Sequence, residues 1–379
     1  MGQVEAWTTL VAPSSSRHPS DLLVRAARLE ADGWDGATVV DSQCLMGDAF
    51  SMLSLAASAT SRLKFGTGTS NPLTRHPSVL ANAAATVHAL SDGRMSLGLG
   101  RGDSALAYIG APPVPVRYFA RALAMIQNYL KGIGTPASEA AELLGATPLG
   151  PDGTAAGHMP ELTKLQWLPD DLPPVTVEVA ASGPKVISVA ARYADCISFS
   201  VGADVARLKW ALSVAREELD RSGRDPGSIR FGAYIPLYPH HDLTFARELS
   251  LGMVAAHSRF SVMNKKVVGP ASESQRENLA RVAESYDMNK HGQATGGHAE
   301  ALSAEYIDQF AIVGDPQRCV DRIGELVDLG IERFHFWTAD TNGRAGESYT
   351  LAVEEILSRV PNRSGPPAAA SAAPVSSPG

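Results

Sequence analysis

The segment from Leu63 to Gly110 constrains the fold of this chain more than any other. Leu63 to Thr69 is a short apolar run that ends in small residues. Asn71-Pro72 and His76-Pro77 then punctuate a loop. Val79, Ala83, Val87 and Leu90 follow at helical spacing, Asp92-Gly93 turns the chain, and Met95 to Leu99 reads as a second buried strand. Two strands joined through a helix must lie parallel, with a right-handed crossover between them. A fold built on such a unit covers both faces of its sheet or closes the sheet into a barrel.

The same alternation runs along nearly the whole chain. Strands are expected at Val4–Val11, Ala37–Asp41, Leu63–Thr69, Met95–Gly100, Val175–Ala180, Cys196–Ser200, Ile229–Ile235 and Arg333–Thr338. Helices are expected near 19–32, 48–60, 78–90, 116–131, 184–193, 203–222, 316–329 and 346–359. Eight strand–helix units in a chain of 379 residues match an α/β fold of the (β/α)8 TIM-barrel type. A doubly wound open sheet is the alternative. Two segments exceed ordinary loop length, Lys131–Pro174 and Pro236–Gly314, and read as insertions after strands 4 and 7. The second carries helical patterns near 243–258, 272–286 and 299–310. Residues 1–360 are expected to form one barrel domain. Residues 361–379, almost all Pro, Ala, Ser and Gly, are expected to form a disordered tail.

Three blocks carry a family resemblance. Thr67-Gly-Thr-Ser-Asn-Pro-x-Thr-Arg-His-Pro77 is followed by Ser91-Asp-Gly-Arg94 and by Gly98-x-Gly-Arg-Gly-Asp-Ser-Ala105. The second block is Ala180–Asp195, and the third is Val313–Trp337 with its Gly-Asp-Pro helix start. In this order they resemble the bacterial-luciferase-like superfamily of flavin- and deazaflavin-dependent oxidoreductases. The likeness is to its methylene-tetrahydromethanopterin-reductase-like branch. It implies hydride transfer between a deazaflavin, coenzyme F420, and a small organic substrate. The alternative is an FMN-dependent two-component monooxygenase, and a non-catalytic flavin-fold binding protein is a third reading. The resemblance also implies a homodimer and a flavin or F420 reductase that supplies reduced cofactor.

In a TIM barrel the site lies at the C-terminal ends of the strands, and here those ends are rich in Gly, Ser and Thr. The resemblance places a non-proline cis peptide at Gly68-Thr69, backing the cofactor ring together with Ser70. It places the cofactor phosphate near Ala181, Ser182 and Gly183 and near Ser198, Ser200, Val201 and Gly202. Independently, Ser182-Gly183-Pro184 reads as a capped helix start whose free amides favour an anion. Asp41 and Asp103 are the candidate catalytic acids, although Asp103 reads equally well as a helix cap. Ser42 stands where relatives often carry His. Ser42, Arg75 and Trp337 are candidate substrate contacts, with Arg75 alternatively a bridge between loops. His335 on the last strand reads as a bonded barrel-interior residue.

Composition removes other classes. The net charge of −7 gives no broad basic surface for nucleic acid. No apolar run reaches the ~20 residues that span a bilayer, and a cytoplasmic protein is expected. Three scattered cysteines suit free thiols, and no metal site is expected. His240-His241-Asp242 reads as solvated loop. Gly98-Leu-Gly-Arg-Gly102 approaches a dinucleotide fingerprint but follows the fourth strand, and Asp103 fills its last small position.

Overall fold

A computed structural model describes residues 2–10, 18, 21–146, 160–294, 297, 302–338 and 345–363. Val11 at the end of the first expected strand, positions 147–159 of the first insertion and positions 364–379 of the tail lie outside the described residues.

Eight parallel strands close into a barrel. They are β1 (Glu5–Thr9), β2 (Gly36–Val39), β3 (Lys64–Thr67), β4 (Met95–Leu99), β5 (Thr176–Ala181), β6 (Cys196–Phe199), β7 (Arg230–Pro239) and β8 (Arg333–Trp337). Each strand pairs with the next, and β8 pairs with β1 through Ala6 opposite Phe334 and Trp7 opposite His335. Closure rules out the open doubly wound sheet.

Period-two alternation divides the strands into two faces. Ala6, Ala37, Phe65, Leu97, Val177, Ile197, Ala233 and Phe334 are fully buried in the apolar layer shared with the helices. The other face is polar. Glu5, Ser96, Glu178, Ser198, Arg333 and His335 meet one another inside the barrel. His335 is therefore a bonded interior residue, as expected, with Nε2 2.5 Å from Glu178 Oε1.

The helices include Ala49–Ser58, Pro77–Leu90, Val116–Leu130, Pro184–Tyr193, Val205–Ser222 and Pro316–Asp328. The insertion after β7 contains Leu243–Ser258, Glu273–Ser285 and Ala304–Phe310, and its own apolar cluster includes Val254, Leu279 and Phe310. Two features differ from the expected pattern. β7 runs on past Ile235 to Pro239, because Pro236 sits where its missing N–H costs no ladder bond. Its extension pairs with a three-residue strand, Ile312–Gly314, too short for periodicity to reveal. His240 is buried instead of solvated. Its Nε2 lies 3.2 Å from Glu347, and its Nδ1 accepts from the Asp242 amide. At the start of the expected tail, Arg363 is anchored to Asp35 at 2.7 Å.

Candidate active site

The strand ends meet the β7 insertion around a cavity of about 280 Å³, and a second cavity of about 120 Å³ adjoins it. Gly68, Thr69, Ala180, Ser200, Tyr234 and Trp337 come to the larger one from barrel strands or the residues just after them. Met253, Ala256, His257 and Phe260 come from the insertion. The site therefore sits at the C-terminal mouth of the barrel.

The wall between β3 and β4 is built from backbone. The Gly68-Thr69 peptide is cis. Ser70 N–H donates to the Gly98 carbonyl and Gly100 N–H donates to the Ser70 carbonyl, each at 2.9 Å. A Cβ on Gly98 would lie 2.0 Å from the Thr67 carbonyl oxygen, so no larger residue fits without moving backbone.

Behind this wall the polar groups form a chain. Ser70 Oγ donates to Asp41 at 2.5 Å. Arg75 bridges Asp41 and Asp48, and Asp48 in turn caps the helix Ala49–Ser58 through the Ser51 amide. Burial pulls the Arg75 guanidinium down, but the two carboxylates outweigh it and raise its pKa. Burial pushes the Asp48 carboxyl up, and hydrogen bonds from Ser51 and Arg75 hold it below its ordinary value. Both ends of the Arg75 fork are thus taken up by loop-to-loop bridging.

Asp103 also meets an arginine. Its side chain makes no cap bond to the short helix Ser104–Ala107 and pairs instead with Arg259 of the insertion. The Arg259 guanidinium lies over the Tyr286 ring, 4.8 Å from the centroid. Burial lowers the Arg259 pKa.

The expected phosphate residues separate into two groups. Ser182 and Ser200 line the smaller cavity together with Arg101, whose Nε donates to the Val114 carbonyl. Gly183, not Ser182, occupies the cap position of helix Pro184–Tyr193, and Ser182 Oγ donates to the Phe260 carbonyl at 3.1 Å. The others stand apart from both cavities. Ser198 lies inside the barrel and donates to Glu178, Val201 is fully buried, and Gly202 packs against Phe310. Ala181 faces the helix layer, and its neighbour Ala180 faces the cavity.

Apart from Asp103 Oδ2, which is ion-paired with Arg259, four buried polar atoms of the cavity lining have no hydrogen-bond partner among the described residues. They are Ser42 Oγ, Asn71 Nδ2, Tyr234 OH and His257 Nδ1. Buried polar groups are normally satisfied, and orphans gathered in one cavity suit a bound ligand. Burial pushes the Tyr234 phenol well up. Burial, helped by nearby His291, pushes His257 down to about 4. Ser42 and Trp337 line the cavity as the sequence suggested, whereas Arg75 does not. The strand-end rule reaches Asn71, in the motif, without giving it a role, and His257 escaped the sequence reading because it comes from the insertion, where no motif marks it.

The family model described as "Luciferase-like monooxygenase" matches residues 4–333. The chain belongs to this family. A 5,10-methylenetetrahydromethanopterin reductase of Methanolobus tindarius is 24% identical over 324 residues, 83% of this chain and 90% of that protein. The coenzyme F420-dependent tetrahydromethanopterin reductase from Methanopyrus kandleri superposes with a TM-score of 0.69 at 21% identity, over 95% of this chain and 100% of that one. The long-chain alkane monooxygenase LadA superposes with a TM-score of 0.62 at 17% identity, over 95% of this chain and 92% of that one. Luciferase-like membership and the TIM barrel thus stand as the sequence suggested. Among the described residues no helix is long and apolar enough to cross a membrane.

Proposed function

We propose that this luciferase-like oxidoreductase transfers a hydride between coenzyme F420 and a small organic substrate. The supporting observation is the cavity at the barrel mouth, where four orphaned polar atoms stand among apolar walls. A planar heterocycle with carbonyl and N–H groups on one edge fits the Ser42 and Asn71 atoms of that set, beside the Gly68–Ser70 wall, and leaves Tyr234 and His257 to a substrate. The likeness to reductases named for the deazaflavin favours coenzyme F420 over FMN.

When bound, the deazaflavin supplies the hydride chemistry, and the protein supplies binding, orientation and electrostatics. Gly68, Thr69 and Ser70 would back the ring, with Asn71 beside them. Ser182 and Ser200 would receive the phosphate beside the helix start capped at Gly183, with Arg101 lining the same cavity. Asp41 and Asp103 are each paired with an arginine, and we assign them fixed negative charges at the site. Asp41 orients Ser70, and Asp103 holds the insertion against the β4 loop.

Separate fluorescence titrations with coenzyme F420 and with FMN test the proposal. Tighter binding of the deazaflavin is expected. Tighter binding of FMN, with oxygen consumed on reduction, would replace this reading with the monooxygenase.

A further inference from the structure

His257 and Tyr234 enter the larger cavity from opposite sources, the insertion helix Leu243–Ser258 and barrel strand β7. Their ring centroids are 6.3 Å apart. The Tyr234 ring stacks on His335 at 4.4 Å, so the barrel interior fixes its plane. The His257 ring rests against Trp337 at 5.4 Å and Phe260 at 5.8 Å. Tyr234 OH and His257 Nδ1 are both buried, and neither has a partner among the described residues. Leaving two such atoms unsatisfied is costly, and a ligand that meets both removes that cost.

The phenol offers a proton and the imidazole nitrogen offers a lone pair. A single hydroxyl group, which accepts and donates through one oxygen, satisfies both. Around this pair the wall is mainly apolar, with Leu45, Met46, Met253, Phe260 and Trp337, while uncharged Ser42, Thr69, Asn71, Ser104 and Ser200 and the imidazole of His291 supply the other polar groups of the lining. Its charges are matched pairs, Asp41 with Arg75 and Asp103 with Arg259. Among the described residues no unmatched arginine or lysine lines this cavity to hold an anionic substrate.

We propose that Tyr234 and His257 form a hydroxyl-binding pair that selects an uncharged, mainly apolar alcohol, with Tyr234 donating to its oxygen and His257 accepting its proton. The assignment rests on the hydride-transfer reading above. In the oxidative direction the substrate carbon gives up its C–H bond pair as hydride to the oxidised deazaflavin. The O–H proton passes to the His257 nitrogen, and the oxygen pair forms the C=O bond. The substrate thus loses one hydride, which carries both electrons, and one proton, and the reverse reaction returns them. Burial keeps the imidazole neutral at ordinary pH, the state that accepts.

The test is nitrogen-15 NMR of the full chain labelled at histidine, with cyclohexanol as the uncharged probe and cyclohexanecarboxylate as its anionic counterpart. Cyclohexanol should shift the His257 ring-nitrogen resonance saturably, and the carboxylate should not. Tyr234→Phe keeps the ring stack and should weaken cyclohexanol binding about 5–10-fold, the worth of one hydrogen bond. Loss of the shift in His257→Asn assigns the signal. No saturable shift, equal response to the carboxylate, or unchanged affinity in Tyr234→Phe would each overturn the proposal. These readouts need no cofactor. A failed coenzyme F420 titration with an intact cyclohexanol response refutes the cofactor reading alone, and the converse refutes the hydroxyl pair alone.

Discussion

Replacing Arg333 with methionine should destabilise the barrel severely and in a pH-dependent way. The Arg333 side chain is 5% exposed and lies between Glu178 at 2.8 Å and Glu5 at 3.0 Å, with its guanidinium 4.7 Å from the Trp7 ring centroid. Glu5 keeps two other cations, Lys64 at 2.7 Å and Arg230 at 3.2 Å. Glu178, 3% exposed, keeps only His335. Removing one partner of a buried ion pair costs about 3–5 kcal/mol, because the other charge stays buried. In the native protein burial pushes Glu178 up, but His335 and Arg333 outweigh it and hold the carboxyl far below its ordinary 4.5. That depression stabilises the fold above pH 4.5 and is lost only as pH falls through the depressed value. Without Arg333 burial is opposed by His335 and Ser198 alone, and the carboxyl pKa moves up. The deficit relative to the native protein is then full above the ordinary carboxyl value and shrinks as pH falls below it, so it should be larger at about pH 7.5 than at about pH 3. Urea unfolding followed by far-ultraviolet circular dichroism at both pH values measures this. Adding Glu178→Gln should recover a large part of the loss. A deficit below ~1 kcal/mol, or one equal at the two pH values, would refute the buried-pair reasoning.

Three further outcomes are expected. Gly98→Ala forces a methyl against the Thr67 carbonyl and should cost about 1–3 kcal/mol in urea unfolding. A Cβ on Gly183 would meet only Val268, at 4.0 Å, so Gly183→Leu should leave the unfolding midpoint nearly unchanged while fluorescence titration shows weakened cofactor binding. His257, lowered from 6.5 to about 4, binds its proton more readily unfolded than folded, so acidification across that window should remove roughly 3 kcal/mol of stability. The pH dependence should be visibly flatter in His257→Gln, with His291, Tyr234 and the Asp103–Arg259 pair still in place around the site.

The fold was legible because parallel strands buried on both faces leave long apolar runs, and each is followed by an amphipathic helix. The runs at Leu63, Met95 and Cys196 begin within a residue of their strands. The polar barrel interior was also written in the sequence but is harder to read. Glu178 sits alone within Val-Glu-Val-Ala, and Arg333 opens Phe-His-Phe-Trp. A lone charge in a central strand must find an opposite charge. No local pattern says that these two, 155 residues apart, find each other. The strand Ile312–Gly314 is below the length at which alternation is visible. The cavity was legible on its strand-end side only. Gly68, Thr69, Ser42 and Ser200 line it because turn chemistry and the strand-end rule point there, whereas Ser198 lies on the interior face but deeper, bonded to Glu178, and Ala181 is turned away by period-two alternation.

The two sides of the cavity carry different kinds of information. The strand ends contribute small side chains and backbone, a surface that suits a flat ring and says little about what reacts with it. The insertion contributes His257, Phe260, Met253 and, through its pairing with Asp103, Arg259. Its ties to the strand-end loops around the cavity include Arg259 to Asp103, the Phe260 carbonyl to Ser182, and the Met288 carbonyl to Tyr108 at 2.6 Å. Those ties fix where His257 stands relative to Tyr234. On the function proposed above, cofactor choice belongs to β3, β4 and the helix start at Gly183, and substrate choice to the insertion together with Tyr234 of β7. A motif shared across a family therefore reports the ring better than it reports the substrate, because the residues facing the substrate come from a segment whose sequence answers to its own packing around Val254 and Leu279.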